Sequence, residues 1–219
     1  MKKSIKTLAL ASSLGLLVAC AGGEVAEETS PAAAPQSAPV TQAASDNFAS
    51  GIVEAGYLPS GAVKRPGNWR EWVFVGAPLT PNGLNGGAAP FPEFHNVYVE
   101  PSAFEHYERT GEWAEGTQIA KELVLVRQNN NAENGSTAEV SGVGYQQGEF
   151  QGLELAVKDS SRFSNMAGGW AYFSFGHKAE PYETSAEAFP EEACNACHAA
   201  SADTDFVFTQ FYPVIRAAN

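Results

Sequence analysis

The sequence predicts an α+β domain that is mainly β, an antiparallel sheet followed by helices. Three observations carry this. Short runs rich in Val, Ile and aromatic residues recur across residues 71–175, punctuated by Gly, Pro and Asn. Several of them alternate with the two-residue period of a strand. After Pro181 longer helical runs take over, and no internal repeat is present. The chain has 219 residues, 44% hydrophobic and 17% charged, which suits one medium domain with appendages.

Residues 1–19 pair Lys2, Lys3 and Lys6 with an apolar stretch over 8–19. This is the layout of a secretory leader, and it is too short for an ordinary membrane span. Leu17-Val18-Ala19-Cys20 has the form of a bacterial lipoprotein signal. It predicts cleavage before Cys20 and lipidation of its thiol, and the bland alternative is ordinary cleavage after Ala19. A lipid anchor would hold the protein on a membrane face. Ala21, rather than Asp, points to the outer membrane, with the domain facing the periplasm. Without the three leader lysines, 25 acidic residues face 10 basic ones, about −15 in all. Such a surface does not seek nucleic acid or anionic lipid, and suits cationic or neutral partners.

Residues 21–46 are rich in Ala, Pro, Ser, Thr and Glu and contain almost nothing large and apolar. They read as a disordered tether, with a reach of roughly 30 Å as a flexible coil. The domain follows over 47–219. Strands are predicted at 71–75 and at 94–99, where His95, Val97 and Val99 share one face. Between them lies a turn-rich loop, Thr80-Pro81-Asn82-Gly83 and Asn85-Gly86-Gly87. Residues 102–110 predict a helix opened by Pro101 and stopped by Gly111. The clearest strand is 117–127, followed by a polar loop at 129–136. Strands at 140–147 and 149–157 are expected around a turn at Gly148, and another at 170–175. Residues 185–200 should be helical, and a last short helix is expected over 206–212, before Pro213.

Cys194-Asn195-Ala196-Cys197-His198 is the Cys-x-x-Cys-His attachment pattern of a c-type haem. Two thiols one helical turn apart can add to the vinyl groups on one porphyrin edge, and the adjacent imidazole can bind the iron. The competing readings are a surface disulfide, a redox dithiol or half a zinc site. Zinc would need further Cys/His pairs, and a thioredoxin-like dithiol would need a βαβ setting and no histidine. In an exported protein the haem reading is preferred. The spacing does not say whether the haem carries electrons, holds a gas or performs chemistry.

Lys121 stands out in its strand. Ile119, Leu123 and Leu125 share its face, and Ala120, Glu122, Val124 and Val126 form the other. Pattern alone favours a lysine that snorkels to an edge; a desolvated one would be a nucleophile. Glu154 lies between Leu153 and Leu155, on the side of Lys158, and pattern alone places it in solvent. If it faced a haem pocket, it could take protons from a substrate. His95, His106, His177 and Met166 are each possible sixth iron ligands, Met166 being preferred for its Gly-rich turn. Singly, each also reads as an ordinary surface or core residue.

The sequence resembles the cytochrome P-460 family, which includes the cytochromes c′-β. The resemblance covers residues 68–216. It rests on Arg70-Glu71-Trp72-Val73, Val75-Gly76, Thr80-Pro81-Asn82, Ala89-Pro90-Phe91, Val97-Tyr98, Thr110-Gly111-Glu112, Gly116-Thr117 and Lys121-Glu122-Leu123-Val124. It continues through Gly152-Leu153-Glu154, Val157-Lys158-Asp159-Ser160, Arg162-Phe163, the haem motif and Phe208-Thr209-Gln210-Phe211-Tyr212-Pro213-Val214.

The resemblance implies a mainly antiparallel β domain, a homodimer, and one five-coordinate haem c with an open distal side. His198 would be the proximal ligand. Lys121 matches a lysine that bonds to a meso carbon of the haem, and Glu154 matches a distal carboxylate that assists proton removal. Both residues are thereby expected in the pocket, against the pattern-only reading. His95 stands where the family member compared most closely has arginine, so distal charge, hydrogen bonding and ligation there are open. The implied activity is hydroxylamine oxidation, with electrons passing to an exported acceptor protein. The alternatives are nitric oxide binding without turnover, as in the cytochromes c′-β, and a six-coordinate electron carrier.

Overall fold

The computed structural model describes residues 51–127, 131 and 133–218. The leader, Cys20, the tether and part of the 129–136 loop lie outside the described residues. In chain order the strands and helices are β1 (Val63–Lys64), β2 (Val73–Gly76), β3 (Glu93–Val99), α1 (Pro101–Thr110), β4 (Gln118–Val126), β5 (Thr137–Glu139), β6 (Gly142–Gly144), β7 (Gln147–Lys158), β8 (Trp170–Ser174), β9 (Ser185–Ala186), α2 (Glu191–Ser201) and α3 (Pro213–Arg216). The fold is α+β and mainly β, as expected.

β2, β3, β4, β7 and β8 form one antiparallel sheet in that order. β4 sits at its centre and is apolar on both faces, so both faces must be covered. The registers Val97↔Lys121, Lys121↔Glu154 and Glu154↔Ser174 place those four residues on one face. His95, Val99, Ile119, Ala156 and Tyr172 share it, because opposed residues in a ladder point the same way. Ala120, Glu122, Leu153, Leu155, Ala171 and Phe173 point the other way.

Two cores follow. On the first face Val97, Val99, Ile119 and Tyr172 pack with Phe104 and Tyr107 of α1, with Trp113, and with Tyr212 and Ile215. Tyr107 and Trp113 stack with centroids 4.0 Å apart. On the second face Ala120, Leu153, Leu155 and Phe173 pack with Trp69, Trp72, Phe163 and Tyr182. The Glu122 side chain is fully enclosed there and accepts from Arg70 Nη2 at 2.6 Å.

α1 begins and ends where its sequence dictates. The Glu100 carboxylate accepts from Ala103 N at 3.1 Å, Pro101 takes the first turn, and Gly111 closes the helix at φ 72°. Other boundaries differ from the sequence reading. Residues 69–71 form a 3-10 turn, so the first predicted strand starts at Val73. Gly148 is no turn: it lies inside β7, where a Cβ would come within 3.2 Å of Arg127 Cα and 3.3 Å of Leu125 O. The turn falls earlier, between β5 and β6. Residues 185–186 pair with β1, and the helix begins only at Glu191, after Pro190. Likewise 209–211 is a 3-10 turn, and the terminal helix starts at Pro213 instead of ending before it.

Candidate functional site

α2 carries Cys194, Cys197 and His198. Cys194 and His198 are four residues apart and lie on one helical face. Cys194 is half-buried against the first core, and Cys197 is exposed. Both thiols are free. Asn195 anchors the helix: it is buried, and its Nδ2 donates to Trp170 O at 2.8 Å. This ties α2 to the first residue of β8.

The His198 ring lies against Tyr172, centroids 4.4 Å apart, and against Phe208 at 4.6 Å. Its Nδ1 is 2.7 Å from Phe206 O. A carbonyl only accepts, so Nδ1 carries the proton and Nε2 keeps its lone pair. Burial lowers the His198 pKa, which favours the neutral form a metal requires. Two thiols and a neutral imidazole with its Nε2 unprotonated therefore fit a covalently attached haem.

The sheet supplies the other wall. Lys121 Nζ is 2.5 Å from Glu154 Oε2, and the two side chains are 28% and 30% exposed. They form a part-buried ion pair, in neither a sealed core nor open solvent. Tyr172, which shares their sheet face, lies against His198, and Ala156 and Cys194 border the same core, so pair and helix meet one face of the sheet. The Lys121 ammonium also lies 5.3 Å from the centroid of Phe91, whose ring stands edge-on to His95 at 5.7 Å.

His95 faces the same pocket. Its pKa falls to about 4, chiefly through burial and then through the Lys121 charge, with Glu154 opposing. Its imidazole is thus neutral at pH 7, and its Nε2 is buried without a hydrogen-bond partner. An arginine there would carry a fixed charge that the neutral imidazole does not.

The structure gathers Lys121, Glu154, His95, Cys194 and His198 around one sheet face. The other possible ligands have different immediate surroundings. Met166 packs against the second core. His106 lies on α1. His177 bonds to Glu93 Oε1 at 2.7 Å. Phe91, Tyr172 and the Phe206 carbonyl were not singled out from sequence. Phe91 had a visible signal, since Ala89-Pro90-Phe91 belongs to the resemblance; a backbone carbonyl has none.

The family model described as Cytochrome P460 matches residues 66–209, a span containing every site residue above. A comparison with curated proteins finds no match.

Proposed function

The chain belongs to the cytochrome P460 family, whose members are haem proteins, and from that premise we propose that it oxidises hydroxylamine at one haem c held by Cys194, Cys197 and His198. The observation that carries this reading is the Lys121–Glu154 pair on the sheet face that α2 confronts. Haem, when bound, would supply a redox-active iron.

The chain's residues do the rest. His198 holds its proton on Nδ1 and presents Nε2 to the iron. Phe91 stands edge-on to His95 and beside the Lys121 ammonium, and forms one side of the site. Hydroxylamine oxidation releases protons with its electrons, and Glu154 is the carboxylate in place to accept them. Lys121 Nζ, 2.5 Å from Glu154 Oε2, holds that carboxylate in position. Electrons leave to an exported acceptor protein. Its surface would be neutral or cationic, to suit a chain of this net charge.

Export is part of the proposal and rests on the leader and on Cys20: a periplasm-facing lipoprotein of the outer membrane. Homodimerisation rests on the family resemblance. Among the described residues no helix is long and apolar enough to cross a membrane.

A second reading, nitric oxide binding without turnover, is favoured by one observation. The Lys121 amine is engaged by Glu154, and an ammonium held in that way is no nucleophile toward a porphyrin carbon. The absorption spectrum of the reduced holoprotein separates the two. A Soret band far to the red marks a lysine–haem bond, and Lys121→Arg should return it to an ordinary c-type position. An ordinary band in the wild type, with tight nitric oxide binding, supports the second reading. Poor nitric oxide binding would indicate iron capped on both sides. Glu154→Gln should slow hydroxylamine oxidation by about 10²–10⁴-fold with little change in the spectrum. Unchanged turnover would remove Glu154 from the mechanism.

A further inference from the structure

Asp205 and Phe206 are the only non-glycine residues among those described with positive φ, 45° and 63°. Left-handed backbone costs roughly 1–2 kcal/mol at a residue that is not Gly, Asn or Asp, so Phe206 needs an external restraint. The restraint is visible. Asp205 Oδ2 accepts from Lys158 Nζ at 2.7 Å, and Lys158 Nζ also donates to Trp113 O at 2.9 Å. Asp205 Oδ1 accepts from Trp170 Nε1 at 3.4 Å. Lys158 and Trp170 are opposed residues of β7 and β8, so the clamp is anchored in the sheet.

The turn presents one group to the site, the Phe206 carbonyl, which accepts from His198 Nδ1. Tyr172 Oη donates to the same carbonyl at 3.4 Å. The Phe206 ring closes over Gly168, where a Cβ would stand 2.4 Å from it. Ring and carbonyl are thus both fixed.

We propose that Lys158, Asp205 and Trp170 are positioning residues that hold the Phe206 carbonyl against the proximal histidine and thereby set the reduction potential of the haem. The inference rests on the haem ligation by His198 proposed above. A firm Nδ1–H···O bond gives the imidazole more anionic character and makes it a stronger donor. A stronger donor favours ferric over ferrous iron. Releasing the turn weakens that bond and favours the ferrous state.

The test is a redox titration of haem-loaded protein, with the iron–histidine stretch of the ferrous form read by resonance Raman spectroscopy. Lys158→Met removes the tether and leaves the two left-handed residues untouched. It should shift the ferric/ferrous balance about tenfold toward ferrous, about 59 mV for one electron, and lower the stretching frequency. Asp205→Ala should act in the same direction. Asp205→Asn tolerates positive φ and keeps one acceptor oxygen, which can serve Lys158 Nζ while its amide NH2 cannot accept from Trp170 Nε1, so it should fall between wild type and Asp205→Ala. Should Asp205→Ala fail to give holoprotein, Lys158→Met and Asp205→Asn decide.

Folded Lys158→Met with wild-type potential and wild-type stretch overturns the clamp. A colourless wild-type protein, prepared with haem-attachment machinery, would instead remove the ligation on which the clamp depends. The two failures are thus distinguishable.

Discussion

Burial and the Lys121 ammonium together push the imidazole of His95 down to about 4. An unfolded chain would titrate His95 near 6.5. Between those values the unfolded state takes up a proton that the folded state refuses, so acid favours unfolding. The contribution of His95 to stability is complete above pH 6.5, is lost as pH falls, and levels off near pH 4. His95→Gln should flatten that part of the stability–pH curve, measured by urea denaturation at stepped pH. A curve as steep as wild type would place the acid sensitivity on another group. The same chemistry separates this pocket from one with arginine, whose charge pH does not switch off. Here the sheet face is uncharged at His95, beside the Lys121–Glu154 ion pair.

Each element shows how far local sequence governs local structure. Gly111 sits at φ 72° as the left-handed cap of α1, and Gly111→Ala should cost about 1 kcal/mol in chemical denaturation and leave the haem spectrum alone. That helix was legible because Pro101 and Gly111 are local signals. So was β4, whose apolar run is long. The β7 hairpin was not, because Gly148 reads as a turn and only the approach of the Arg127 and Leu125 backbone makes it part of a strand. The start of α2 was missed because β9 exists only through pairing with β1, a partner more than a hundred residues away. At the site, the haem motif and the identities of Lys121 and Glu154 could be read from sequence. Their meeting could not: Lys121↔Glu154 is a register between β4 and β7, and the bulges after Leu123 belong to that pairing alone. The left-handed turn at Asp205 and Phe206 carried no signal either, since neither residue is glycine.

At the scale of the whole molecule the sheet divides the interior into two cores of different character. The first meets α2 and the titratable pocket. The second is closed by Arg70, whose Nε and Nη2 both reach the enclosed Glu122 carboxylate, with Tyr182 Oη also donating to it at 3.4 Å. Arg70→Met strands that carboxylate and should destabilise the fold by about 3 kcal/mol, read as a lowered thermal midpoint. A midpoint within a degree of wild type would mean that water compensates Glu122. The second core is built wholly from the chain's own side chains. A newly made polypeptide can therefore seal one side of the sheet before any prosthetic group arrives. On the proposed haem reading, porphyrin would then be attached beside a sheet already packed on its opposite face, and assembly of the holoprotein would have an order.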